Sequence, residues 1–261
     1  MLIKAADLER VLSRPNLVLV DCRPFKEYSE GHIPGAVNLD LFAFHWFDTT
    51  EKGIAGFNGQ ARQLLSFVGA DFSKKVVFYD DVSGMCAPRG VWMLTYFSHP
   101  DASMLDGGIR DWQAKGLPTE TRLNEFSPSE FTGRVNPEVI SGYRHIVDNL
   151  DGLTVIDARS EGEYDGTIVR AANSGHIPQA VNIDWRKNLD EDGTLKDDSA
   201  LEQLYRIPKD APIVTYCQGA YRAANSFVAL KKTGFTNVRL YLGSWGEWGN
   251  RPGLPVERQK A

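Results

Sequence analysis

Residues 213–227 read IVTYCQGAYRAANSF: an apolar run that ends in a cysteine, a short loop, then residues spaced as a helix. A thiol at such a junction can act as a nucleophile. In open α/β sheets, ligands gather beyond the carboxyl ends of the strands. A short loop entering a helix turns successive backbone N–H groups inward, a nest for negative charge, and the helix N-terminus adds partial positive charge. Both effects favour thiolate over thiol at Cys217. Gly219 permits unusual backbone angles in the loop. Arg222 is permanently charged and offers a cation to the cysteine sulfur or to an anionic substrate. No histidine lies near in sequence, and a thiolate prepared in this way needs no partner base. The competing reading is a cysteine that serves as a small buried hydrophobe.

The elements that must position this loop occur twice. GHIPGAVNLD (31–40) recurs as GHIPQAVNID (175–184). Before each copy stands an apolar run ending in aspartate, LVLVDCRPFKEY (17–28) and LTVIDARSEGEY (153–164). After each comes a second apolar run, KVVFYDD (75–81) and PIVTYCQ (212–218), and each half closes on a Gly- and Trp-containing segment. Aligned on the second run, Tyr79 faces Tyr216 and Asp80 faces Cys217. Only one half carries a nucleophile at the strand end, which points to one active and one retired site.

Continuous four- to five-residue apolar runs alternating with helix-period stretches predict mainly parallel strands buried on both faces. Leu8, Val11 and Leu12 mark one helix face, and Leu201, Leu204 and Tyr205 repeat it. Asp7 is expected to cap the first of these helices and Gly234 to follow the end of another. Each half is thus a small α/β domain. The polar, turn-rich stretch 121–136 fits an inter-domain linker, and the insertion GTIVRAANS (166–174) distinguishes the second half.

Composition narrows the functional classes. With 42% hydrophobic and 24% charged residues the chain is ordinarily globular. A net charge of −5 argues against a nucleic-acid binder, without excluding a local anion site. No apolar run approaches a membrane span, and the N-terminus lacks the core of a signal peptide. Cys22, Cys86 and Cys217 have no metal-ligand or disulfide spacing, so reduced cysteines, a cytoplasmic setting and no metal are expected.

The paired GHIP segments, the aspartate-ending strands before them, the GSWGEW closure (243–248) and the loop from Cys217 resemble a tandem-domain rhodanese, a thiosulfate sulfurtransferase, of bacterial type. The resemblance implies two rhodanese-like domains, each a mainly parallel sheet flanked by helices: a catalytically silent domain over 1–120, a linker over 121–136 and a catalytic domain over 137–261. It implies Cys217 as the catalytic residue and Gln218, Gly219, Ala220, Tyr221 and Arg222 as substrate-binding, with Asp80 at the cysteine's position in the silent domain. The implied chemistry is double displacement through a covalent Cys217 persulfide, with no other cofactor. Its partners are thiosulfate and a thiophilic acceptor, cyanide in the assay or a small or protein thiol, with neither nucleic acid nor membrane.

The chain also departs from its relatives. Animal-type rhodaneses carry basic residues where Gln218 and Gly219 stand, and an arginine where Glu163 stands. Arg222 is therefore expected to carry more of the anion binding. The loop of 3-mercaptopyruvate sulfurtransferases, cysteine-glycine-serine-glycine-valine-threonine, does not match CQGAYR, which favours thiosulfate and keeps mercaptopyruvate as the alternative. Related phosphatases place five residues between cysteine and arginine; this chain has four. A non-catalytic rhodanese module is the remaining alternative.

His32 and His176, at matching positions, read as structural. Asp21 with Arg23, and Asp157 with Arg159, read as polar ties at strand ends, and the second pair could also support the active loop. Cys22 reads as structural. In the family the segment before APR reaches toward the active loop, so Met85 and Cys86 are candidate pocket-wall residues; Cys86 is alternatively a resolving thiol. Trp112, Trp245 and Trp248 are expected to pack the closing segments.

Overall fold

The computed structural model describes residues 1–258, so the last three residues of the expected catalytic domain, 259–261, lie outside the described residues. The chain forms two compact units. The first holds β1 (Leu2–Ile3), β2 (Leu17–Asp21), β3 (Val37–Asn38), β4 (Lys75–Tyr79) and β5 (Ala102–Leu105) in the order β1-β5-β4-β2-β3. The second holds β6 (Ile140–Ser141), β7 (Thr154–Asp157), β8 (Val181–Asn182), β9 (Ile213–Tyr216) and β10 (Val238–Tyr241) in the equivalent order β6-β10-β9-β7-β8. Every strand pair is parallel. Parallel neighbours need crossover connections, and helices supply them and cover the sheets. The central strands are accordingly apolar on both faces: Val76–Tyr79 and Ile213–Tyr216 are fully buried.

The first unit consists of Met1–Phe44, Gly56–Asn136 and Leu189–Leu195; the second of His45–Ala55, Pro137–Asn188 and the chain from Lys196 onward. Two short segments thus belong to the unit opposite their half of the repeat. The stretch 121–136 is fastened along the first unit. Asn124 N–H donates to the Tyr28 hydroxyl, Ser129 N–H to Ser66 C=O and Asn136 N–H to Tyr96 C=O, and Phe131 is buried. Its polar composition concealed those anchors.

The repeat extends to single hydrogen bonds. The Tyr79 hydroxyl accepts from Ile33 N–H at 3.1 Å, and the Tyr216 hydroxyl from Ile177 N–H at 3.2 Å. His32 and His176 each place Nδ1 2.8 Å from the carbonyl of Tyr28 or Tyr164 and stack on the same tyrosine's ring, which makes them structural. Trp112 and Trp248 each donate from the indole to a closing-segment proline carbonyl, Pro118 and Pro255. Asp7 is not a cap: the helix Ala5–Glu9 begins after Lys4, and Asp7 sits in its first turn. Gly234, at φ +85°, does follow the helix Tyr221–Lys232. Among the described residues, no helix is long and apolar enough to cross a membrane.

Candidate active site

β9 delivers Cys217 to the carboxyl edge of the second sheet, where the residue is 1% exposed. Residues 217–220 form the loop, and the helix Tyr221–Lys232 begins at once behind it. One side of the loop is pinned to the start of a neighbouring helix, Ser244–Trp248. Trp245 N–H donates to Cys217 C=O and Gly246 N–H donates to Gln218 C=O, both at 2.9 Å. Cys217 N–H donates to the Ser244 hydroxyl at 3.2 Å. In a trans peptide the C=O and the following N–H point in opposite directions. Anchoring those two carbonyls therefore aims the N–H groups of Gln218 and Gly219 away from that helix. The helix start adds N–H groups that have no acceptor within the helix.

The backbone strain sits one residue later than expected. Ala220, not Gly219, adopts the left-handed conformation, with φ +69° and ψ +3° at the helix N-cap. Gly219 has a different role. A Cβ at that position would lie 2.7 Å from His45 Cδ2, so the glycine admits a ring against the loop. His45 also packs on Tyr221, with ring centroids 4.9 Å apart, and Phe47 fills the space left by the missing Cβ of Gly246. Both rings come from the 45–55 segment that belongs to this unit. Thr49 ties that segment down: its N–H and hydroxyl donate to the two carboxylate oxygens of Glu247, at 2.9 and 2.6 Å, while the Tyr241 hydroxyl also donates to Glu247. Nothing near Cys217 in sequence foretold His45 or Phe47, because they enter from the other half of the repeat.

Arg222 is not a bare cation. Its two terminal nitrogens donate to the two oxygens of Glu163 at 2.6 and 2.9 Å. Burial alone would raise the Glu163 carboxyl; the Arg222 guanidinium and the Ser160 hydroxyl outweigh it and bring it down to about 2. Burial works against the Arg222 charge, but the hydrogen bonds to Glu163, the charge of Cys217 and the charge of Glu163 together outweigh it and raise its pKa. Ser160 N–H and hydroxyl both donate to Glu163, and Arg170 Nε reaches the same carboxylate at 3.1 Å. Serine followed three residues later by glutamate is the signature of a capping box. That pattern, present in the sequence as SEGE, was the available signal for a fixed Glu163.

Asp157 and Arg159 form a buried fork. Arg159 Nε lies 2.9 and 3.0 Å from the two Asp157 oxygens, and its outer nitrogen donates to Gly175 C=O at 2.8 Å. The guanidinium lies 4.5 Å from the Trp245 ring centroid and 5.5 Å from that of Tyr216. Tyr216 precedes Cys217, and the Trp245 backbone holds its carbonyl, so the fork braces both flanks of the cysteine. Asp21 and Arg23 repeat the fork in the first unit.

At the position matching Cys217, Asp80 accepts from the N–H groups of Cys86 and Ala87, both at 2.9 Å. Burial outweighs those two bonds and lifts its carboxyl to about 7. Cys86 is buried beside it, and burial followed by the Asp80 charge pushes the thiol well above its ordinary value. A thiol so held is a poor resolving nucleophile. Met85 precedes the helix Cys86–Tyr96 in this first unit. Cys22 is fully buried, and its thiol is likewise pushed up by burial. Among the described residues, no group of three or more His, Cys, Asp and Glu is arranged to hold a metal ion.

Known proteins agree with this architecture. Residues 4–115 and 144–251 each match the rhodanese-like domain. Over 98% of its length the chain is 32% identical to the thiosulfate sulfurtransferase of Pseudomonas aeruginosa and 35% identical to that of Azotobacter vinelandii, spanning 97% of each. It is 31% identical to the 3-mercaptopyruvate sulfurtransferase of Escherichia coli over 90% of this chain and 86% of that one. Among solved structures, SseA, a 3-mercaptopyruvate sulfotransferase from Escherichia coli, matches with a TM-score of 0.78 and 29% identity, covering 94% and 98% of the two chains. An anaerobic ergothioneine biosynthesis enzyme from Chlorobium limicola matches with a TM-score of 0.87 over all of this chain and 70% of its own; at 21% identity that is a likeness of fold. With most of its length accounted for by two such domains, and with relatives that span it end to end, the chain belongs to the rhodanese family, as a tandem-domain member related to bacterial thiosulfate sulfurtransferases.

Proposed function

We propose that the protein is a thiosulfate sulfurtransferase working through a Cys217 persulfide. The observation that carries this reading is Cys217 held at a strand end, with the carbonyls of Cys217 and Gln218 anchored to the neighbouring helix so that the N–H groups of Gln218 and Gly219 turn the other way. The Cys217 thiolate attacks the outer sulfur of thiosulfate. The sulfur–sulfur bond of the donor breaks, sulfite leaves with the bonding electron pair, and the sulfane sulfur stays on the enzyme as an anionic persulfide. Gln218, Gly219, Ala220, Tyr221 and Arg222 surround that charge, which preorganised N–H donors stabilise. A thiophile then attacks the outer persulfide sulfur and restores the thiolate; with cyanide the product is thiocyanate. Asp157 and Arg159 act as positioning residues for the loop.

The reading of 3-mercaptopyruvate as donor draws support from the 31% identity to the Escherichia coli enzyme. One experiment separates the two: thiocyanate formation from thiosulfate and from 3-mercaptopyruvate, for the native protein and Cys217→Ala. Thiosulfate activity that vanishes in the variant is the expected result. A clear preference for 3-mercaptopyruvate would transfer the assignment to that donor. Thiosulfate activity surviving in Cys217→Ala would defeat the mechanism. Hydrolysis of an aryl phosphate without sulfur transfer would instead place the chain with the phosphatases.

A further inference from the structure

Among the described residues, three arginines associated with the cysteine loop are each paired with a carboxylate. Arg222 is paired with Glu163, Arg159 with Asp157, and Arg186, whose charge is felt by both Arg222 and Glu163, with Asp184 at 2.6 Å. Arg170 shares Glu163 and, like Arg186, is more than half exposed, so solvent and salt screen both charges. Glu163 itself is 2% exposed and locked from behind by Ser160. Such a carboxylate cannot swing away when an anion arrives. The arrangement belongs to the cysteine-bearing unit. In the first unit the matching Glu27 is half-exposed, and Arg89 is buried over the rings of Trp92 and Phe57.

We propose that Glu163 sets the charge selectivity of the Cys217 loop: by taking both terminal nitrogens of Arg222 it keeps that guanidinium in place as a hydrogen-bonding strut while cancelling its charge. The loop then holds its ligand chiefly through backbone N–H groups, and the pull on a doubly charged donor is weaker than a bare arginine would exert. This rests on Cys217 being the reactive centre, as proposed above. Glu163 touches neither the sulfur nor the donor; it acts through Arg222 and is a positioning residue. A glutamine in its place keeps an acceptor for Arg222 and removes the negative charge that faces its guanidinium.

The test compares two alkylating reagents of equal chemistry and different charge, iodoacetate and iodoacetamide, on the intact protein. In the native protein the ratio of their rates at Cys217 is expected within about threefold of that for free cysteine. In Glu163→Gln the ratio is expected to rise about 3- to 10-fold, the size of one uncompensated unit charge in a partly solvated site. In Glu163→Asp, which keeps the charge, it stays near the native value. The KM for thiosulfate should fall in Glu163→Gln with kcat changing less than about threefold. An unchanged or lowered ratio in Glu163→Gln overturns the proposal, as does a native ratio more than tenfold above free cysteine, which is decisive even if the variant fails to fold. Because alkylation uses no sulfur donor, inactivity toward thiosulfate would sink the donor assignment and leave this result standing.

Discussion

An alanine at φ +69° stands beside a glycine that has no need of its conformational freedom. Left-handed backbone costs a residue with a Cβ about 1 kcal/mol or more, and the surrounding bonds to Ser244, Trp245 and Gly246 hold Ala220 there. At position 219 the requirement is space. Gly219→Ala is expected to push the His45 ring aside at a stability cost under about 1 kcal/mol, because the obstructing atoms belong to an exposed, movable side chain. Sulfur transfer should fall several-fold, measured as kcat/KM beside the midpoint of thermal unfolding. An equal loss of stability and activity would mean that the loop itself had been displaced. At this scale the sequence was informative about identity and less so about partners. Cys217 and Arg222 were legible from their spacing, whereas the hold of Glu163 on Arg222 depends on a tertiary approach that no local pattern encodes.

Among the elements, the strand–loop–helix unit is legible because its pattern is local: an apolar run, a turn-compatible stretch, a helix face. Its bracing comes from elsewhere in the chain. The Asp157–Arg159 fork lies under Tyr216 and Trp245, and the Asp21–Arg23 fork repeats it beside Tyr79, where Asp80 stands at the position of Cys217. Cutting one partner from a buried pair costs about 3–5 kcal/mol, so Asp157→Asn and Asp21→Asn should lower unfolding free energy by comparable amounts in denaturant titrations. Their activities should differ. At a temperature where both variants are folded, Asp157→Asn is expected to lose at least tenfold in kcat, and Asp21→Asn less than twofold. Equal losses would show the second fork to be structural only. The 45–55 segment was invisible at this scale. Its composition looks like an ordinary connection, and its attachment is made by Thr49 meeting the buried Glu247 and by the rings of His45 and Phe47 against Tyr221 and Gly246.

For the whole molecule, the repeat carried most of the inference, since two copies with the same strand order leave little freedom in the topology. It also exposes a difference between the copies. Asp80 stands at the position of Cys217, and burial lifts its carboxyl to about 7. A carboxyl raised in the folded state binds its proton more tightly there than in the unfolded chain. Stability should therefore fall as pH rises from about 4 to about 7 and level off beyond, by up to about 4 kcal/mol. Asp80→Asn keeps an acceptor for the Cys86 and Ala87 N–H groups and removes the titration. Its unfolding free energy should be nearly flat over that range and exceed the native value at pH 8 by about 2–4 kcal/mol. A native profile without the slope would show that water or a cation reaches the carboxylate.

The bonds from Trp245 and Gly246 to the cysteine loop have a consequence in time. A ribosome makes residue 217 well before residues 244–246, so the growing chain carries its thiol before the peptides that orient the loop exist. The last strand and the short helix after it thus decide when the cysteine loop takes its shape. A chain ending short of them keeps the thiol and lacks the frame that orients its loop.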